Sequence, residues 1–214
     1  MSLGHFVRRA LGPAFPVFGN AYRRFFVNLN AVAASIPQVG PAPEILDIGG
    51  GDGEPLNRLL ARMPDAHVTM LDLAPSIGEA LRPGFAAQVT KLPGTSIRDY
   101  ISLSPKPFEL VIISDVIHHV PPEQRLGFFQ DLRDLIGDRE VPVYVKDIEP
   151  GHWRATASYI ADVHISGDAN VALISEESLR ALLDEVFPGC TVVSTPLMKR
   201  DKPNYAVIAY VNRG

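Results

Sequence analysis

An apolar run, Glu44-Ile45-Leu46-Asp47-Ile48, leads directly into Gly49-Gly50-Gly51-Asp52-Gly53. Glycine reaches positive φ without strain and lets a ligand lie against bare backbone. A strand that breaks into such a loop and then opens a helix is a nucleotide-cradle signal. The spacing narrows the ligand. A dinucleotide fingerprint requires G-x-G-x-x-G. Counted from Gly49 its last glycine would fall on Glu54, and counted from Gly51 on Leu56, so neither frame fits. The pattern present is D-x-G-x-G-x-G, from Asp47 through Gly49 and Gly51 to Gly53. A second run, His67-Val68-Thr69-Met70-Leu71, ends in Asp72. A carboxylate about twenty residues past a cradle loop is placed to accept from ribose hydroxyls. Before Pro75, it could instead cap a following helix.

Another apolar run ends in Ser114-Asp115-Val116-Ile117-His118-His119. Histidine titrates near neutral pH and can act as a base toward a hydroxyl or amine. His119 is the first candidate and His118 the second, with a packed histidine as the alternative. Asp115, His118, His119 and Asp147 mix carboxylate and imidazole, which suits several divalent ions. Their spacing fits no metal-dependent arrangement, and no metal is expected.

Strands and helices must alternate to bring these residues together. Helical spacing of apolar residues runs from Val17 to about Ile36, including Tyr22, Phe25 and Phe26, before Pro37, Gly40, Pro41 and Pro43 break the chain. A helix carrying Leu56, Leu59, Leu60 and Met63 follows Gly53, and a short one is expected over Pro75–Leu81. A third strand falls within Val89–Tyr100, its limits blurred by Pro93 and Gly94. Phe108–Asp115 reads as a strand covered on both faces. Pro122–Leu135 reads as an amphipathic helix and Val141–Asp147 as a strand. Ser175 can cap a helix reaching Val186, with Glu176 and Glu177 favourable in its first turn. Thr191–Thr195 and Asn204–Val211 are two strands joined too closely for a helical crossover, so they should pair antiparallel. The whole predicts an open α/β sheet with its ligand at the carboxyl ends of the strands.

The chain has 214 residues, 46% hydrophobic and 21% charged, with a formal charge of −4. That balance suits one globular domain and argues against a nucleic-acid partner. The single cysteine, Cys190, excludes an internal disulfide and a multi-cysteine zinc site. No apolar run has the length of a membrane span, and no secretory h-region is seen, so a cytoplasmic protein is expected.

D-x-G-x-G-x-G with Asp72 resembles the first motif region of the class I S-adenosylmethionine-dependent methyltransferases. The resemblance covers roughly Glu44 onward. It implies a seven-stranded, mostly parallel sheet of order 3-2-1-4-5-7-6 with a C-terminal antiparallel hairpin. It divides the chain into a lid or cap over 1–43 and a cofactor-binding domain over 44–214. It assigns Asp47, Gly49, Gly51, Gly53, Asp72 and Leu73 to S-adenosylmethionine. Ser96 or Thr95 stands where the family often has an acid against adenine, and Asp99 lies slightly late. Asp115 would receive the cofactor's ammonium, and Tyr22 and Arg23 would line the lid, Arg23 toward the methionine carboxylate. The acceptor would be a small molecule methylated on oxygen or nitrogen, with His152, Trp153, Tyr159, Asp162 and His164 forming one wall of its pocket. The aromatic helix could equally be core, or, with Phe6, Arg8 and Arg9, an interfacial anchor. Two other activities stay open: a non-catalytic cofactor-binding scaffold, and a nicotinamide-dependent oxidoreductase, which the glycine spacing disfavours.

Overall fold

The computed structural model describes residues 28–151, 171–196 and 203–211. Seven strands form one sheet: β1 (Glu44–Ile48), β2 (His67–Asp72), β3 (Val89–Pro93), β4 (Leu110–Ser114), β5 (Pro142–Ile148), β6 (Thr191–Ser194) and β7 (Asn204–Tyr210). Their order is β3-β2-β1-β4-β5-β7-β6. The first five are parallel, and β7 runs antiparallel to both β5 and β6. The expected architecture is therefore the observed one. Pro93 is tolerated because it ends β3 at the sheet's edge, where no further strand needs its missing N–H.

Helices cover both faces. α1 (Leu29–Ser35) and α2 (Glu54–Arg62) lie on one, and α3 (Ile97–Ser102), α4 (Arg125–Ile136) and α5 (Glu176–Val186) on the other. On the first face Val32 and Ile36 pack with Leu56, Leu59, Ile112 and Tyr144. On the second, Val111, Ile113 and Val145 meet Phe129 and Leu132 of α4 and Leu183 of α5. Each fully buried aliphatic side chain contributes about 1.5–3 kcal/mol. α1 is tied down by polar contacts as well. The buried Tyr144 hydroxyl bonds Ser35 Oγ at 2.8 Å, and Arg62 donates to the carbonyls of Ala33 and Ile36 at 2.7 and 2.8 Å.

Several local expectations are corrected. Pro75–Leu81 is a run of bends and turns, and a 3-10 helix forms later, at Pro83–Gln88. Gly78, at φ 68°, takes the left-handed conformation that interrupts a helix there. The third strand ends at Pro93, and Ile97–Ser102 is helical because Ser96 and Asp99 form a capping box. Pro122–Gln124 is a 3-10 turn ahead of α4. Of the aromatic N-terminal helix, only Leu29–Ser35 falls in the described residues, capped by the Asn28 side chain.

Candidate cofactor site

The glycine loop leaves the carboxyl end of β1. Gly49, Gly51 and Gly53 all have positive φ, at 73°, 54° and 80°. At Gly51 a side chain would meet no atom within 4 Å, so the backbone faces open space. The loop is pinned from β2: Gly49 N–H donates to Leu71 O at 2.7 Å, and Gly51 N–H to Asp72 Oδ2 at 3.0 Å. The other oxygen of Asp72 accepts from Ala74 N–H at 2.8 Å. Asp72 thus braces the loop and its own turn, and a carboxylate has lone pairs left for further donors. Leu73 beside it is 75% exposed, an unusual position for a large apolar side chain.

Asp47 lies beneath the loop. Burial, and then the charge of Asp72, push its carboxyl up to about 7. Its oxygens accept no hydrogen bond among the described residues, although a buried carboxyl normally has partners. It opens on a small cavity of about 30 Å³ that Gly49, Gly50, Ser114, Val32 and Ile36 help to line. That volume admits a water or an ammonium group. Gly50 was not singled out from sequence, yet it is the most constrained of the run. A Cβ there would stand 2.4 Å from Asp47 Oδ2 and 2.6 Å from Met70 Cγ. The three consecutive glycines were the available signal.

At the ends of β4 and β5, Asp115 has left-handed backbone, φ 60°, and its carboxylate bonds the ammonium of Lys146, which has no exposure. Asp115 therefore already has a cation, supplied from the neighbouring strand. Asp147 points to the other face. Its Oδ1 is 2.7 Å from His118 Nδ1, and its Oδ2 accepts from the His118 backbone N–H at 3.2 Å. Burial alone would raise the Asp147 carboxyl. The charge and hydrogen bond of the His118 ring, the Ile148 N–H and the Lys146 ammonium hold it below the usual carboxylate range instead. His118 is buried, whereas His119 is exposed, its ring centroid 4.1 Å from that of His118.

Asp115, His118 and Asp147 each offer a ligand atom within 4.8 Å of the others. Within this cluster the Lys146 ammonium bonds Asp115 and the His118 ring bonds Asp147. Ser96 is committed elsewhere: its hydroxyl bonds Asp99 at 2.6 Å and caps α3. Tyr22 and Arg23, and the aromatic insertion with His152, Trp153, Tyr159, Asp162 and His164, lie outside the described residues.

Residues 45–138 match the family described as a methyltransferase domain. This stretch is similar to that family's domain, and the sheet order around it is the one the class I methyltransferase resemblance implies. Solved structures agree in fold. An O-methyltransferase family protein from Burkholderia thailandensis has 17% identity and a TM-score of 0.68, over 92% of this chain and 59% of that one. The S-adenosylmethionine-dependent methyltransferase SibL, in its apo form, has 19% identity and a TM-score of 0.72, over 96% and 61%. A SAM-dependent methyltransferase from Archaeoglobus fulgidus has 16% identity and a TM-score of 0.63, over 90% and 99%. The chain spans about three-fifths of the length of the first two. Among the described residues, no helix is long and apolar enough to cross a membrane.

Proposed function

We propose that this chain binds S-adenosylmethionine and directs methylation of a small-molecule acceptor at oxygen or nitrogen, in the cytoplasm. What carries the reading is the loop itself: Gly51 presents bare backbone to open space while Asp72, the candidate ribose acid, bonds its N–H. The family implies the cofactor, and the residues fit it. Asp72 has acceptor capacity for ribose hydroxyls, exposed Leu73 offers an apolar surface for adenine, and Asp47 holds an unpartnered carboxyl for an ammonium. Asp47 suits that last role better than Asp115, because Lys146 already neutralises Asp115. Val32 of α1 and Ile36 just past its end wall the Asp47 cavity, which supports a lid or cap role for 1–43.

S-adenosylmethionine would supply a methyl group on a sulfonium centre. The protein's part is to position the acceptor and exclude water, and positioning alone can lower the barrier by about 7–11 kcal/mol. His119, exposed beside a His118 ring that Asp147 fixes, is the candidate to take the acceptor's proton. An O-methyltransferase family protein among the similar folds favours an oxygen acceptor without naming it.

Calorimetry with S-adenosylmethionine, S-adenosylhomocysteine and NADH tests the reading. Saturable binding of the first two and none of NADH is expected. Binding of NADH alone would return the chain to the oxidoreductases. Cofactor binding without turnover of any acceptor in a broad phenol and amine panel would favour the scaffold.

A further inference from the structure

The turn region after β2 lies directly on the glycine loop. Gly78 N–H donates to Gly51 O at 2.9 Å, and Ala80 N–H to Asp52 O at 2.8 Å. A Cβ on Gly53 would be 3.3 Å from Gly78 Cα, so the two backbones touch. The loop is therefore held from both sides: its Gly51 N–H by the carboxylate of Asp72, its carbonyls by the strap Ile77–Arg82.

One side chain fastens this strap to the helix that follows the loop. Asn57 of α2 has no exposure. Its amide donates to Ala80 O at 2.8 Å and to Glu54 Oε2 at 2.7 Å, and its carbonyl accepts from Arg82 N–H at 2.8 Å. Both N–H groups and the oxygen are in use, in the manner of a fully satisfied buried polar group. From the edge of the sheet, Lys91 Nζ adds a bond to Gly78 O at 2.7 Å. A helix start needs no such brace for its own stability, since Glu54 and Pro55 already suit the first turn. The bonds instead fix where the Gly51 and Asp52 carbonyls point, and hence which face of the loop is presented.

We propose that Asn57 is a positioning residue for the cofactor, locking Ile77–Arg82 over the glycine loop so that the loop keeps its ligand-ready form when empty. The proposal rests on the reading that this loop holds S-adenosylmethionine. A loop that is competent only part of the time binds weaker by that fraction. If Asn57→Leu leaves it competent a tenth of the time, affinity for S-adenosylhomocysteine falls about tenfold. Lys91→Met, on an exposed edge strand, should act in the same direction and more weakly. Leu132→Ala, in the core of the opposite face, is the control: it should lower the melting temperature and leave affinity unchanged.

The experiment is calorimetric titration of folded wild type and variants with S-adenosylhomocysteine, alongside amide exchange of Gly78 and Ala80 in the empty protein. Weaker binding with faster exchange at both amides, in Asn57→Leu and to a lesser degree in Lys91→Met, is expected. If Asn57→Leu does not fold, Lys91→Met decides. Wild-type affinity in the folded variants, even with faster exchange, would overturn the positioning role. Failure of the wild type to bind the ligand would instead overturn the cofactor reading.

Discussion

The ammonium of Lys146 and the carboxylate of Asp115 form an ion pair whose two members sit in unequal surroundings. Lys146 has no exposed side-chain surface, while the Asp115 side chain is 38% exposed. Asp115 can be hydrated if its partner is lost, whereas Lys146 has no other acceptor among the described residues. An uncompensated buried charge costs about 3–5 kcal/mol, and replacing a buried ion by an apolar group of similar shape costs far less. Asp115→Asn should therefore destabilise by about 3 kcal/mol and Lys146→Met by about 1 kcal/mol or less. Asparagine tolerates the left-handed backbone there, so strain does not confuse the comparison. Urea denaturation of both variants checks it, and equal losses would contradict the asymmetry.

Asp47 gives a pH dependence with a defined sign. Its carboxyl holds a proton to about pH 7 in the folded chain, against an ordinary value near 4 when unfolded. Between these limits the folded state binds more protons. Its stabilising contribution is full below about pH 4 and is lost as pH rises to about 7. The stability difference between wild type and Asp47→Asn should therefore shift against wild type across that interval. If Asp47 meets the cofactor's ammonium, ligand binding releases this proton, and affinity should rise with pH through about 7 and become flat in Asp47→Asn. Calorimetry in buffers of different ionisation enthalpy reads the proton release directly.

The glycine run separates structural from ligand-facing positions. Gly50→Ala drives a methyl into Asp47 and Met70, so it should lower folding stability by about 1–3 kcal/mol, the usual cost of overpacking. Gly51→Ala meets no atom and carries only the left-handed penalty, about 1–2 kcal/mol. Its larger effect should be on cofactor affinity, and Gly51→Val should be worse. Asp72→Ala should weaken cofactor binding by about 1.5–3 kcal/mol, the range for a hydrogen bond to a charged group. It should cost some stability too, because Asp72 braces Gly51 and Ala74. Melting curves and calorimetry on the same preparations separate the two effects.

These contrasts also mark what the sequence could say. Continuous apolar runs such as Leu110–Ser114 announce strands covered on both faces, and the close succession of Thr191–Ser194 and Asn204–Tyr210 announces the antiparallel end. The left-handed turn of the glycine loop is legible because backbone conformation constrains residue type locally. The strap over Ile77–Arg82 was not, since Asn57 meets Ala80 and Arg82 only after the chain has crossed the sheet. The capping role of Ser96 is hidden for a similar reason: a serine before Asp99 suits a ligand contact and a helix cap equally in the sequence, and the structure shows the cap. Likewise, nothing in Ser114-Asp115 reveals that Lys146, 31 residues on, will neutralise the carboxylate.

The two adjacent histidines should separate by function. His118 is buried, and its ring and backbone N–H grip both oxygens of Asp147. Asp147 is held below the usual carboxylate range, so the pair stabilises above the ordinary aspartate value and fails as pH falls through the depressed one. His118→Ala or Asp147→Asn should therefore act mainly on stability, with a loss that shrinks at strongly acidic pH. His119 is exposed, and its ring lies tilted against that of His118, which Asp147 bonds. If it removes the acceptor's proton, His119→Ala should lower turnover by about 10²–10⁴-fold with cofactor affinity nearly unchanged. The measurement is the kcat and cofactor KM of each variant across pH, with an acceptor drawn from the phenol and amine panel. Near-wild-type turnover in His119→Ala, with the catalytic loss in a folded His118 variant, would transfer the base to His118. Full activity in both would leave positioning alone to account for the rate.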